Sequence, residues 1–574
     1  MDFGDKQATN LLNCVVMAAG WEGDGMRDAL YGTPERRLRP ARVVLIGPEI
    51  EENLGIRYIA ASLRQAGIPA TILPFDHIGQ LAELRDRAIG LDADLVALSL
   101  AFQWRANDVL ALAMALRDAG YRGHITAGGH FATFCWAEIL AGFPEIDSLC
   151  LGEAEHIVVD LANAVTAGGS LETVAGLALR GATGRPFTTA PRPQPDVDAL
   201  PEPDRRGVPA ECLGQPIASL VAGRGCYARC TFCCIAAWHE RAAEGRRWRQ
   251  RHVDAVADEM ATLYHRDGVR IFIFHDDNFL PPGHSRAIER IDALADALAR
   301  RGIGPIASVI KARPNDVAPE IFAALRDRLG LLRVYLGIEN DSTQGLKTLR
   351  RGISPEQNHT AMRILSDFGI YACFNLLLWD PDTDVPALET NLAFMETFAA
   401  IPHNFGRVEL YAGTPLLARM QQERRCQGDW MGWDYTLATP SVQRVFELAM
   451  ACFYERNFAE GAAANRLMST RFDVEVARHF HPQRFDPAWL DEAKELSRTL
   501  MLDSAGGLRQ IMAFVCEPGD ESAFVNGLRQ RLRQVERTVL DGAARLEGRV
   551  QAGIGARCRH HRLAAVEPVG IEGG

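Results

Sequence analysis

The sequence predicts a three-part α/β protein: an N-terminal Rossmann-like domain, a partial (β/α)6 barrel, and a mainly helical C-terminal region. Three observations predict it. Short apolar runs alternate with helical stretches from Ala41 to about residue 168, and again from residue 213 to 425. Runs in that rhythm form parallel sheets covered on both faces. Polar and glycine-rich turns follow the strands of both series, at the carboxyl ends where such sheets and barrels bind ligands. From Cys426 on the rhythm stops and long helical periods replace it.

The expected organisation is an extension (1–38), the Rossmann-like domain (39–168), a linker (169–212), the barrel (213–425) and the helical region (426–574). A chain of 574 residues exceeds one core, which agrees with several domains. A net charge of −11 argues against a broad nucleic-acid binder. No apolar stretch reaches the roughly 18 residues of a membrane span. The 13 cysteines are few and mostly scattered, as suits a reducing compartment. The start, Met1-Asp2-Phe3-Gly4-Asp5, has no basic segment and apolar core, so a cytoplasmic protein is expected.

In the first series the strands are Val43–Ile46, Ala70–Leu73, Leu95–Leu100, His124–Ala127 and Ser148–Leu151, with a helix near Gly55–Ala66. Their ends carry Gly47-Pro48, Ser99, Gly128-Gly129-His130 and Gly152-Glu153. Glycines there let a ligand approach the backbone. No G-x-G-x-x-G follows the first strand, so a dinucleotide is disfavoured. Prolines crowd the stretch from Ala190 to Arg205, an extended linker.

In the second series the strands are Ile217–Val221, Val269–Phe274, Pro305–Ile310, Arg333–Leu336, Ala372–Leu378 and Arg407–Leu410. The first runs into Cys226-Tyr227-Ala228-Arg229-Cys230-Thr231-Phe232-Cys233, the spacing C-x3-C-x2-C. Three thiolates on one tight loop suit a [4Fe–4S] cluster that takes its fourth ligand from elsewhere. Zinc more often shows two C-x2-C pairs or added histidines. Cys234 reads as a spare thiol, and Arg246–Arg251 as a solvated basic loop. His275-Asp276-Asp277-Asn278, Lys311-Ala312-Arg313, Gly337-Ile338-Glu339-Asn340 and Trp379-Asp380 end later strands. In the C-terminal region Ser441–Asn457, Asp486–Leu502 and Glu521–Gly548 read as helices. Residues 528–562 hold nine arginines and three acids, a solvated face by default. Cys558, His560 and His561 are metal-ligating types, but their glycine-rich flanks read as a tail.

The cysteine loop, with Phe232 before its last cysteine, resembles the cluster loop of the radical SAM superfamily. The preceding domain resembles the cobalamin-binding domain of the B12-dependent members, at Asn53-Leu54-Gly55, Gly128-Gly129-His130-Phe131-Ala132-Thr133 and Gly152-Glu153-Ala154-Glu155. It departs from the best-known cobalamin fold in lacking D-x-H-x-x-G, whose histidine binds cobalt from below. The resemblance implies three cofactors: a [4Fe–4S] cluster on Cys226, Cys230 and Cys233, S-adenosylmethionine, and cobalamin. It places Phe232, Asp277, Asn278 and Glu339 at S-adenosylmethionine, with Glu339 on the ribose. It places Ser99, Gln103, Gly128, Gly129, His130, Gly152 and Glu153 at cobalamin, with Gln103 and Trp104 near the lower face of cobalt.

The activity so implied is methylation of an unactivated carbon. A 5′-deoxyadenosyl radical removes a hydrogen atom and methylcobalamin supplies the methyl group. The alternative within the family is a ring formation, ring contraction or oxidative cyclisation without methyl transfer. Outside it stands an iron–sulfur binding module without turnover. Expected partners are a small-molecule or peptide substrate and an external electron donor such as flavodoxin or ferredoxin, with no nucleic acid and no membrane.

Overall fold

Residues 40–558, apart from 208, 243, 244, 458 and 460, are described in a computed structural model. β1 (Val43–Gly47), β2 (Ala70–Pro74), β3 (Leu95–Ser99), β4 (His124–Gly128) and β5 (Ser148–Cys150) form a parallel sheet in the order β2-β1-β3-β4-β5. Every side chain of β1 is buried, as a strand covered on both faces requires. Asn53 caps the helix Leu54–Gln65 by accepting from the Ile56 amide. The order reverses between β1 and β3, so a crevice opens at their carboxyl ends.

The segment read as a linker is partly structured. β6 (Leu177–Arg180) and β7 (Pro186–Thr188) extend the sheet as antiparallel strands beside β5. They are too short to show a period among the surrounding glycines and prolines. The proline-rich stretch after them is no free tether. Arg205 pairs with Glu52 of the first domain (2.9 Å) and Glu259 of the barrel (2.7 Å).

β8 (Ala210–Cys212) runs antiparallel to β9 (Gln215–Leu220). A small hairpin follows, β10 (Gly223–Gly225) with β11 (Trp248–Gln250). β9, β12 (Ile271–Phe274), β13 (Ala307–Ala312), β14 (Leu331–Leu336) and β15 (Tyr371–Cys373) are parallel neighbours. β16 (Asn375–Trp379) pairs with β17 (Asn404–Arg407), and the Leu377 amide donates to the Glu339 carbonyl at 2.5 Å, joining β16 to the end of β14. Six βα units therefore curve into a partial barrel. The last strand lies three residues earlier than the expected Arg407–Leu410, because its pairing with β16 begins at Asn404. Val408 and Leu410 are buried beyond the strand, which gives them the same apolar signature.

A second hairpin, β18 (Cys426–Asp429) with β19 (Gly432–Tyr435), reaches back to the first domain, where Trp430 stacks on Phe131 at 5.9 Å. Four helices follow: Pro440–Asn457, Ala463–Phe480, Pro487–Cys516 and Glu521–Ile554. The second has no counterpart in the sequence reading. It is buried nearly all round, with Thr470, Arg471, Asp473 and Glu475 inside, so no apolar stripe marks it. The third runs past the expected Leu502 through Gly506-Gly507, where Gly507 gives room to Phe453. No helix among the described residues is long and apolar enough to cross a membrane. The expected extension 1–38, and His560 and His561, lie outside the described residues.

Candidate functional site

The cysteine loop leaves the carboxyl end of β9 through the β10–β11 hairpin. Gly225 sits at φ 83, and a Cβ there would lie 2.0 Å from the Arg247 carbonyl oxygen. Only glycine allows this close crossing. The Cys226 amide then donates to the same carbonyl at 3.0 Å. Arg246–Arg251 is accordingly not the solvated loop expected: half of it is strand, and Arg251 is buried against Glu259 at 2.5 Å. The far side is tied down too, because Thr231 donates from its amide to Leu349 O (3.0 Å) and from its hydroxyl to Thr348 O (2.8 Å). The loop is thus held before any ligand arrives.

Cys230 is buried and its sulfur accepts from Arg351 Nη1 (3.0 Å) and Arg313 Nη1 (3.4 Å). Burial pushes the thiols of Cys226 and Cys233 up. A buried thiol becomes a thiolate only beside positive charge. Arg313 and Arg351 supply part of it at Cys230 and a bound cluster would supply the rest, so this donor set fits a cluster. Cys234 heads the helix Ile235–Glu240, with its thiol pushed up to about 12 by burial. Phe232 packs against the barrel core below.

Asp277 accepts from the Gly225 amide at 3.0 Å, so it braces the loop. Asn278 is buried and its amide is engaged by Leu280 O (2.8 Å) and Asp316 Oδ2 (3.2 Å). Its side chain therefore positions Asp316, which also takes the Tyr227 hydroxyl at 2.5 Å, rather than facing an open space. Glu339 is different. It has left-handed backbone at φ 65, unusual for a residue with a Cβ. No hydrogen bond is found for its carboxylate among the described residues, and burial raises its pKa against the opposing pull of Arg351 and Arg313. A strained, half-buried acid lacking donors fits a ligand that brings hydroxyls.

At the first domain, Gly47, Pro48, Ser99, Ala101 and Phe102 line a shallow cleft at the β1/β3 switch. A Cβ on Gly47 would come within 2.7 Å of Ser99 Cβ, so the cleft depends on glycine there. Arg105 pins the next loop by donating to Asp76 O (2.7 Å) and Phe75 O (3.0 Å). Phe102 and Trp104 stand about 40% exposed on that loop, at 39% and 40%. Between them, Gln103 has a buried Oε1 with no donor among the described residues. A cleft, two presented aromatic rings and a waiting acceptor fit a large planar ligand with a polar tail.

The other predicted residues of this domain lie along a seam against the barrel. Gly129 is at φ 117, and a Cβ would strike Ala101 backbone at 2.8 Å, so the chain itself requires this glycine. Gly128 packs on Cys150. Thr133 is the hub: it accepts from the Gly152 amide (3.1 Å) and from Trp238 Nε1 (3.2 Å) of the barrel. His130 packs on Trp238 at 4.4 Å with the rings tilted by 37°, and burial pushes its pKa down to about 4, leaving a neutral imidazole. Glu153 is engaged differently from the expectation. Its buried carboxylate meets Arg224 (2.8 Å), His239 (3.2 Å) and Arg249. Burial alone would raise it, but His239, Arg224 and Arg249 outweigh that and hold it well below the usual carboxylate range. Glu153 is a bridge between domains, with no oxygen left over for a cofactor.

Sequence reasoning did not find Arg351, Thr133, Trp238 or Arg224 as site residues, since each matters only through a distant partner. Nor did it find Glu409, just past β17. Burial raises its carboxyl to about 7 against a hydrogen bond from Tyr411. A raised folded-state pKa gives stability that is present below pH 4.5 and lost as pH climbs through about 7. Glu409→Gln removes that loss. Thermal melts between pH 5 and 8 should show the variant gaining on the parent chain as pH rises; a constant difference contradicts the assignment.

Comparison with known proteins agrees with this geometry. Residues 44–162 match the B12 binding domain family and residues 220–391 the radical SAM superfamily. An uncharacterized methyltransferase of Pyrococcus horikoshii is 25% identical over 373 residues, covering 63% of this chain and 77% of its own. An anaerobic magnesium-protoporphyrin IX monomethyl ester cyclase of Synechocystis is 24% identical over 411 residues, covering 67% and 75%. The solved structure of OxsB, a cobalamin-dependent S-adenosylmethionine radical enzyme, superposes with a TM-score of 0.61 at 17% identity, covering 90% of this chain and 80% of its own. At that identity the likeness is one of fold.

Proposed function

The chain belongs to the B12-dependent radical SAM enzymes, and from that premise we propose that it is a methyltransferase acting on an unactivated carbon. When bound, the cluster with S-adenosylmethionine supplies a 5′-deoxyadenosyl radical, and cobalamin supplies the methyl group. The residues of this chain do the rest: they hold, orient and shield. Cys226, Cys230 and Cys233 hold the cluster, with Arg313 and Arg351 on the Cys230 sulfur. Glu339 takes the ribose hydroxyls. The β1/β3 cleft would hold the nucleotide tail of cobalamin, with Gln103 and Trp104 on the adjoining loop to meet the ring.

The observation that carries the reading is the seam. Trp238, a few residues after the cysteine loop, donates to Thr133 at the strand ends of the first domain, and Arg224, just before the loop, pairs with Glu153 there. These contacts bring the strand ends of both sheets together, so cofactors held on either side would face one substrate carbon. Methyl transfer needs that arrangement. The methyltransferase relative matches over 373 residues, which supports the same outcome. The likeness to a cyclase over a similar length supports a second reading, ring formation at the same site.

Mass spectrometry separates them. With methyl-deuterated S-adenosylmethionine, methylation adds one labelled carbon to the product, along with 5′-deoxyadenosine. A product without added carbon rejects methyl transfer, and no 5′-deoxyadenosine at all rejects radical catalysis. Glu339→Ala should keep its iron and bind S-adenosylmethionine about 1–3 kcal/mol more weakly, the cost of a lost hydrogen bond to a charged group. Unchanged affinity by calorimetry removes Glu339 from the ribose.

A further inference from the structure

We propose that Cys212, Asp473 and Cys558 bind a zinc-class divalent cation at the floor of the barrel, a structural site separate from the reaction centre. The three come from elements far apart in the chain. Cys212 ends β8, Asp473 lies in the middle of the helix Ala463–Phe480, and Cys558 follows Gly555, the left-handed residue that ends Glu521–Ile554. Cys558 Sγ is 3.5 Å from Cys212 Sγ, and Cys212 Sγ is 3.3 Å from Asp473 Oδ1. All three ligand atoms lie within 4.8 Å of one another, and no other such cluster occurs among the described residues.

Those spacings are what a metal asks for. Tetrahedral zinc, with Zn–S about 2.3 Å and Zn–O about 2.0–2.2 Å, sets its sulfurs roughly 3.8 Å apart and sulfur from oxygen roughly 3.5 Å apart. The donors need almost no movement to close on an ion, and a water completes the fourth position. Two thiolates with one carboxylate favour a borderline-soft cation over calcium or magnesium. Cys212 is fully buried and Asp473 nearly so. Charges placed there require a counter-ion. Burial and the neighbouring Cys558 and Asp473 push the Cys212 thiol well up. On binding, the two thiol protons pass to solvent as the ion enters.

The location gives the role. Cys212 pairs with Gln215 at the start of β9, while the cysteine loop lies beyond its other end. Six residues at about 3.3 Å each put roughly 20 Å between floor and mouth. The floor of a parallel barrel serves stability rather than chemistry. The carrying elements are already fixed there: Arg484 Nη1 donates to Ile554 O at 2.6 Å, and His481 Nε2 lies 3.2 Å from Leu213 O. The ion would staple the end of the last helix to the first strands of the barrel. Cys558 is only half-buried, which leaves a way in.

The test is elemental analysis of the full chain, purified anaerobically, exposed to Zn2+ and exchanged into metal-free buffer. About one zinc per chain is expected beside the iron, and it should persist in Cys226→Ala/Cys230→Ala/Cys233→Ala, where iron is lost. Adding Cys558→Ser or Cys212→Ser to that variant should remove the zinc. Cys558→Ser lies near the chain end and keeps the helices, as circular dichroism will show. Zinc absent from the triple variant, or retained after either serine substitution, overturns the site. So does a Cys212–Cys558 disulfide recovered by peptide mapping in place of metal.

Discussion

Replacing Cys226, Cys230 and Cys233 together by alanine is expected to abolish the broad visible absorbance that thiolate-to-iron charge transfer gives an iron–sulfur protein. The physical ground is local. The loop is clamped at Gly225 by the Asp277 carboxylate and at Cys226 and Thr231 by backbone hydrogen bonds, so it retains its shape without the thiols. The loss is then one of ligands and not of fold, and the far-ultraviolet circular dichroism should stay. Cys234→Ala, by contrast, should keep the full absorbance, because Cys234 caps a helix outside the three-cysteine spacing. Iron and sulfide retained in full by the triple variant would reject the assignment.

Glu153→Gln should destabilise the chain by about 3–5 kcal/mol, the range for removing one partner of a buried ion pair. The side chain is 4% exposed and faces Arg224, Arg249 and His239. Arg224 retains Glu155 at 2.6 Å, but Arg249 retains only the Pro195 carbonyl at 2.9 Å. A neutral amide therefore leaves a guanidinium buried without its counter-charge. Because Glu153 joins the two domains, the unfolding transition of the variant should also broaden or split. A denaturation midpoint equal to that of the parent chain would show that the seam does not depend on this residue.

Much of the fold was legible because its signals are local. The five parallel strands of the first sheet and five of the six barrel strands announce themselves as apolar runs ended by glycine or polar turns. The cysteine loop is legible for the same reason, since its three cysteines fall within eight residues. Asp277 was found at the right strand end, although it serves by holding the Gly225 amide. What was not legible depends on partners far away in the chain. Glu153 reads as a loop acid until Arg224 and Arg249 are beside it. Arg246–Arg251 reads as solvated until β11 pairs with β10. The helix Ala463–Phe480 carries buried charges in place of an apolar stripe, and Cys212 meets Cys558 across 346 residues. No short-range period encodes such contacts.

The strand ends of the B12-binding domain and the flanks of the cysteine loop meet at one seam, so cofactors held on either side would lie close together. Electron paramagnetic resonance of the anaerobically reconstituted protein, with cobalamin in its Co(II) state, tests it most directly. One cobalamin per chain is expected, without nitrogen splitting from an axial histidine, since His130 is neutral but packed on Trp238 at the seam. Reducing the cluster should speed the relaxation of the cobalt signal, and the triple cysteine variant should abolish that effect. Failure to retain cobalamin, axial nitrogen splitting, or a relaxation rate indifferent to the cluster would contradict the account.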